Sequence, residues 1–418
     1  MTHQNVQQSH SAKPRLFYGY IVVLAAFFVL VIMNGLLYSF GVFLKPVSAE
    51  FGWTRAMTSG AYSMGVFVLG LLFMVTGRLN DRFGPRVVMT ACGFILGLGC
   101  LLMSRIGALW QLYLFWGVIV AMGVSGGFVP MVSTVARWFV KRRGLMTGIV
   151  VAGVGVGIAI VPPVASWLIL SYGWRTSFIV IGIIALVLLV LVAQFLKRDP
   201  TQVGQSPYGD NQVKPENLIS EARGFSFQEA IHTKQFWMVC TTYLFFGACL
   251  HTLMAHIVPH ATDLGISAAS AANILATIGG LNIVGRIGIG SVSDRATIKS
   301  TLIIGFILLA VALFWLQLAR ELWMFYLFAS IFGFGIGGLV ALESPVTAEL
   351  FGLRAHGAIL GTIVFGATTG GAIGSLLAGH IFDISGSYYL AFLVCAVLTI
   401  ASVMLASLLR PTCREGLV

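Results

Sequence analysis

Charge is what this sequence has least of. Asp, Glu, Lys and Arg make up only 9% of its 418 residues, while apolar types make up 58%. A water-soluble domain carries about 25% charged residues, so water is excluded as the main solvent. A nucleic-acid module and a disordered scaffold fall with it, despite a formal net charge of +11. Cysteine is sparse too: the six present form no CxxC pair and mostly sit in apolar runs, which argues against a disulfide or metal framework. No ATP-binding loop, zinc-ligand spacing or Ser–His–Asp arrangement is present, so we expect no enzyme activity, no cofactor and no bound metal. Without ATP-driven machinery, any transport must run on a gradient. A short apolar core with a cleavage site is also missing at the start. The first apolar run begins near Leu16 and is too long for a secretory signal, so it reads as a retained span.

What the sequence has is long apolar runs. A bilayer-crossing helix needs about 20 mostly apolar residues. Twelve such runs are expected, at 17–44, 56–79, 87–103, 109–137, 145–170, 175–196, 236–258, 268–292, 301–318, 322–350, 358–382 and 388–409. The one long polar stretch, 197–235, separates six from six and contains one amphipathic stretch at 225–231. The fold class is therefore an all-α membrane protein of two six-helix pseudo-symmetric bundles. Its parts are residues 1–196, a linker 197–235, and residues 236–418.

Nineteen of the 25 Lys and Arg residues fall on the linker side of these spans, five on the other, and Arg286 lies inside one. The positive side faces the cytoplasm, so both termini and the linker are expected there. The high net charge becomes a topology signal, and nucleic acid drops out as a partner. The halves also repeat at an offset of 213. Gly77, Asp81 and Arg82 recur as Gly290, Asp294 and Arg295, Trp110 and Tyr113 as Trp323 and Tyr326, and Gly153 and Gly157 as Gly366 and Gly370. Duplicated membrane bundles with a site between them are a transporter arrangement.

Three local patterns refine this. Gly77-Arg-Leu-Asn-Asp81-Arg82-Phe-Gly84-Pro-Arg86 lies between the second and third spans. It resembles the loop signature of the major facilitator superfamily, with a weaker echo around Asp294 and Arg295. The resemblance implies that Asp81, Arg82, Arg86, Asp294 and Arg295 gate motion and do not touch cargo. Arg137-Trp138-Phe139-Val-Lys141-Arg142-Arg143-Gly144, followed by Gly148, Gly153 and Gly157, resembles the monocarboxylate-transporter signature. The stretch from Phe40 through Lys45 and Pro46 to Trp53 and Arg55 resembles bacterial relatives, including the oxalate/formate antiporter group.

Arg286 carries the functional expectation. A charge within the hydrocarbon costs at least about 2.5–3.5 kcal/mol and so faces a cavity by default. Its repeat mate is Phe73, so the scaffold itself requires no base there. A guanidinium's forked donors match a carboxylate, and the family resemblance implies an arginine in this span for that task. One turn earlier stands Asn282, where animal monocarboxylate carriers have an aspartate, so proton coupling needs another group. The candidates are His256, Asp263 and Glu343. Glu343 and Arg286 sit about 12 and 9 Å from the linker-side ends of their spans at 1.5 Å per residue, which allows a pair. His256, Asn34, Tyr38 and Phe365 are further candidates for lining the site. The small-residue runs Ser125-Gly126-Gly127 and Gly333-Phe-Gly335-Ile-Gly337-Gly338 suit helix packing better than a cavity.

The expected function is secondary transport of a small organic anion, a monocarboxylate such as lactate or pyruvate, across the inner (plasma) membrane. It would proceed by alternating access with proton symport, the chain acting as a monomer with the bilayer as its environment. The rival within the same class is carboxylate/carboxylate exchange; drug or metabolite efflux ranks lower.

Overall fold

The computed structural model describes residues 17–139, 142–209, 224–293, 297–352 and 354–409. Among them regular structure is helical. Span one is Gly19–Phe51, with one break in its pattern at Ser39. Spans two to four are Arg55–Phe83, Pro85–Met103 and Leu109–Trp138. Spans five and six form a single run, Arg143–Ala193, broken at Gly173 by a left-handed φ of 79°. Spans seven to twelve are Lys234–Asp263, Ala268–Ser293, Ile298–Leu318, Leu322–Phe351, His356–Ser385 and Tyr389–Leu408. The twelve expected spans are all present, but the fifth and sixth are joined by a kink instead of a loop.

Local chemistry sets the starts of these helices. Thr54, Thr233 and Thr297 each turn a side-chain oxygen onto an otherwise unpaired backbone N–H of the first turn. Pro85 opens span three, where its missing N–H costs nothing. Span four is interrupted. It carries a π-helical stretch, Tyr113–Val120, and breaks after Val124. The Thr76 hydroxyl donates to the Ser125 carbonyl at 3.0 Å, satisfying a group that lipid could not. Large apolar side chains such as Leu24, Phe94, Leu188, Ile307 and Val397 remain exposed, as a helix bundle solvated by acyl chains requires. The five described cysteines are free and buried.

Buried apolar residues fall into two clusters, one drawn from 22–196 and the other from 230–409. Each takes one residue from the opposite half: Ala255 joins the first cluster and Val42 the second. These two are mates at the offset of 213, as are Tyr38 and His251, whose rings stack at 5.9 Å. Spans one and seven therefore meet on the pseudo-twofold axis. Contacts repeat as well. Gly153 and Gly157 lie against the Phe27 and Val31 carbonyls of span one, and Gly366 and Gly370 against those of Cys240 and Leu244 in span seven. At Gly366 a Cβ would make an ordinary contact at 3.5 Å, whereas glycine is required at Gly153, Gly157 and Gly370, where a Cβ would stand 2.5, 2.3 and 1.9 Å from the facing carbonyl. The same holds for Gly123 against Leu96 and Gly337 against Asn282, so the small-residue runs of spans four and ten are packing surfaces.

The linker docks both halves alike. Tyr208 donates its N–H to the Trp138 carbonyl and Phe225 its N–H to that of Phe351, each at 2.9 Å. Trp138 and Phe351 are again mates. Within the linker the helix Phe227–Ile231 opens with a Ser226–Glu229 capping box.

The halves touch at the end away from the linker. Lys45 pairs with Asp263 at 2.8 Å, and Arg55 pairs with the same carboxylate at 3.3 Å. The Asp383 carboxylate accepts from the Arg55 and Ala56 backbone N–H groups, both at 2.8 Å, and so caps span two from the other half. A methyl on Gly41 would lie 2.8 Å from the Met254 carbonyl, and one on Gly379 would lie 2.9 Å from Ala56. At the linker end, Gly144 and Gly148 of span five and Gly357 and Gly361 of span eleven have nothing among the described residues within 4 Å of where a Cβ would stand. Among the described residues, the ion pairs that tie the halves together lie at the far end.

Candidate functional site

Span eight presents Val284 and Ile287 outwards, 51% and 67% exposed. At 100° per residue Arg286 points about 200° away from Val284, opposite the lipid face. On that side Gly279 crosses Gly155 and Ala159 of span five so closely that a Cβ would come within 2.5 Å of backbone. Arg286 thus sits at the seam between the halves, partly exposed. Its Nε donates to Asn282 Oδ1 at 2.9 Å. Its two Nη groups have no hydrogen-bond partner among the described residues. Asn282 therefore fixes the guanidinium by its inner nitrogen and leaves the fork open for a carboxylate.

Among the described residues, Glu343 of span ten and Tyr38 of span one are the titratable groups within electrostatic reach of Arg286. Glu343 makes no ion pair within 4.0 Å of it, and its carboxylate has no hydrogen-bond partner among the described residues. The Tyr38 hydroxyl is unpartnered in the same sense, while its ring stacks on His251. His251 in turn shares a 2.9 Å hydrogen bond with the Tyr62 hydroxyl of span two. A base, an acid and two phenols from four spans thus converge along the axis, below the far-end seal.

His256, a sequence candidate, is placed differently. It is fully buried, with Nδ1 on the Tyr388 hydroxyl at 3.2 Å and Nε2 on the Ser375 carbonyl at 2.9 Å. Both nitrogens are used within the second half, so in this conformation neither is left for a ligand. Asp263 belongs to the far-end seal and not to the Arg286 cluster. Asn34 donates to Leu30 of its own helix at 3.2 Å. Phe365 packs on Phe67 across the seam of spans two and eleven, ring centroids 5.9 Å apart. The loop expected to gate motion is tied within the first half. Asp81 pairs with Arg137, Arg86 Nε donates to Gln194 at 2.8 Å, and Arg82 covers Phe83. Asp294 and Arg295 lie outside the described residues. Tyr62 has no signal of its own in the sequence, while His251, a weaker candidate than His256 on sequence grounds, is the mate of Tyr38 at the offset of 213 and stacks on it.

The Major Facilitator Superfamily model matches residues 22–300 and 254–416. The chain belongs to the Major Facilitator Superfamily. It is a multi-pass membrane transporter and not an enzyme. It is similar to Monocarboxylate transporter 13 of Rattus norvegicus, at 28% identity over 92% of this chain and 87% of that one. It is also similar to Monocarboxylate transporter 7 of Homo sapiens, at 27% over 96% and 87%. The uncharacterized MFS-type transporter YhjX of Escherichia coli is 28% identical over 79% of this chain and 81% of its own. Among solved structures, a bacterial homolog of the human lysosomal transporter Spinster, in an inward-facing and unoccupied conformation, superposes with a TM-score of 0.69. Its identity is 17% over 95% of this chain and 96% of that one, so it bears on the major-facilitator fold alone.

Proposed function

We propose that this transporter carries a small monocarboxylate by alternating access, with the carboxylate held on the open fork of Arg286. The observation that carries the reading is the orientation of that guanidinium: turned from lipid, anchored by Asn282 through Nε, and with both Nη groups unpartnered among the described residues. The relatives named monocarboxylate transporters support the cargo class. Tyr38 adds a hydroxyl donor. With the basic, linker end in the cytoplasm of the inner membrane, the end tied by Asp263 and Asp383 faces outwards, and the site opens inwards in this reading.

Glu343 is the proton-coupling group in this reading. Substrate neutralises Arg286, which withdraws the nearby positive charge that favours an ionised Glu343. The acid then takes up a proton, and carboxylate and proton travel together. The Asn282 position, which has no acid to share a proton with Arg286, also favours a second reading, in which one carboxylate exchanges for another. Proteoliposome uptake separates the possibilities. Arg286→Ala and Arg286→Lys should lose uptake about tenfold or more, because a charged, two-pronged hydrogen bond is removed or halved. Normal uptake of every carboxylate by both variants would falsify the assignment. In Glu343→Gln, uptake should cease to respond to a proton gradient while exchange against preloaded carboxylate persists. Exchange without any response to the gradient in the wild type would select the second reading.

A further inference from the structure

The two halves differ at one place where the repeat says they should match. In the first half Trp174 and Arg175 follow the left-handed Gly173 and plug the far end. Trp174 Nε1 donates to Glu50 at 2.6 Å, and Arg175 pairs with Glu50, reaches the Ile106 carbonyl at 3.1 Å and lies over the Trp174 ring. In the second half the glycine recurs as Gly386, with φ 68°, and Glu50 recurs as Asp263. The plug does not recur: Trp174 and Arg175 become Ser387 and Tyr388. An indole and a guanidinium are missing, and a far-end cavity of about 290 Å³ takes their place.

The lining of this cavity defines what it accepts. Arg320 stands at its rim, bonded only to the Ala319 carbonyl at 3.1 Å, with no carboxylate partner among the described residues. His260 lines it at 8% exposure, and its ring has no hydrogen-bond partner among the described residues. Phe392 and Tyr388 present ring faces or edges to that imidazole, 5.1 and 5.9 Å away. The one acid in the wall, Asp263, is already held by Lys45 and Arg55. The free groups are thus a guanidinium, an imidazole and aromatic surface.

We propose that this cavity is a second binding site, for a small carboxylate with an apolar or aromatic body, separate from the one at Arg286. The carboxylate lies on Arg320 and His260, and the body fills the space that Trp174 fills in the first half. The proposal does not rest on the reading of Arg286, since no residue is shared. It has a consequence for the transport cycle. An anion is tolerated beside Asp263 only while Lys45 and Arg55 neutralise that carboxylate, so an occupied site favours the sealed far end and slows turnover.

Tritiated phenylacetate is a suitable probe, measured by equilibrium dialysis on the purified full chain in nanodiscs. Arg286→Ala serves as the host, so that only this cavity is read. One saturable site per chain should remain. Adding Arg320→Gln should weaken it about tenfold or more, the effect of deleting a charged hydrogen-bond donor. Adding Ser387→Trp, which restores the first half's side chain, should abolish it without lowering the thermal unfolding temperature. If the Ser387→Trp chain does not fold, His260→Phe replaces it with the same expected loss. Three results would overturn the proposal: no phenylacetate bound by the Arg286→Ala host, binding indifferent to Arg320 and Ser387, or a native mass spectrum showing Arg320-dependent phospholipid that phenylacetate does not displace.

Discussion

At Arg286 one nitrogen is tied and two have no partner among the described residues, and the tie is as informative as the freedom. A long side chain at a seam would sample many rotamers, and ordering it on substrate arrival would weaken binding. Asn282 removes much of that cost in advance through a 2.9 Å bond one turn away. Asn282→Ala should therefore raise KM by roughly tenfold, as expected for losing a hydrogen bond to a charged group, with little change in the maximal rate. Proteoliposome kinetics over a range of substrate concentrations checks this; an unchanged KM would mean that Asn282 orients nothing. Arg286 stood out in the sequence as a lone base in an apolar run, where substrate binding and a structural ion pair within the second half were both open; among the described residues it makes no ion pair. The roles of the histidines were not. His256 and His251 lie in the same span, and only the tertiary neighbours separate them: Ser375 and Tyr388 consume both nitrogens of His256, while His251 faces Tyr62. The offset of 213 that links Tyr38 to His251 was the usable signal.

Helix pairs repeat the lesson at the next scale. Periodic glycines in span five were visible in the sequence, but the face each occupies was not. Gly157 sits against the Val31 carbonyl and the Gly35 nitrogen, whereas Gly148 meets nothing within 4 Å. The two should answer to leucine in different ways. Gly157→Leu forces spans one and five apart and should cost about 1–3 kcal/mol, the usual range for overpacking, seen as a lower thermal unfolding temperature. Gly148→Leu should leave that temperature unchanged yet reduce transport, because the open linker end must close on the added side chain. Equal destabilisation by the two variants would contradict the packing described here. The twelve spans themselves were readable because lipid demands long apolar helices. The missing loop between spans five and six was not, since one left-handed glycine suffices for the reversal.

For the molecule as a whole, the seal at the far end decides which side is open. Glu50 and Asp263 are mates, so the sequence suggests one shared task. In the structure Glu50 pairs with Arg175 of its own half, and Asp263 reaches across to Lys45 and Arg55. The difference follows from the missing plug: with no arginine after Gly386, the acid of the second half is left for bases of the first. Partly exposed ion pairs contribute up to about 1 kcal/mol each, and Asp263 makes two, so Asp263→Asn should shift the balance between the two openings towards the outside by up to about thirtyfold. Distances between spin labels at the far ends of spans two and eleven would report it. Higher ionic strength should act in the same direction; no change with either would remove Asp263 from the gate.

Among the described residues, the ionic contacts across that seal run one way, with carboxylates from residues after the linker and cations or amide groups from residues before it. Expressed as separate fragments, the bundles should therefore reassemble as unlike partners, since two copies of the first would set Lys45 and Arg55 against their own kind. A duplicated pair that began as interchangeable has, at this seam, become a lock and its key.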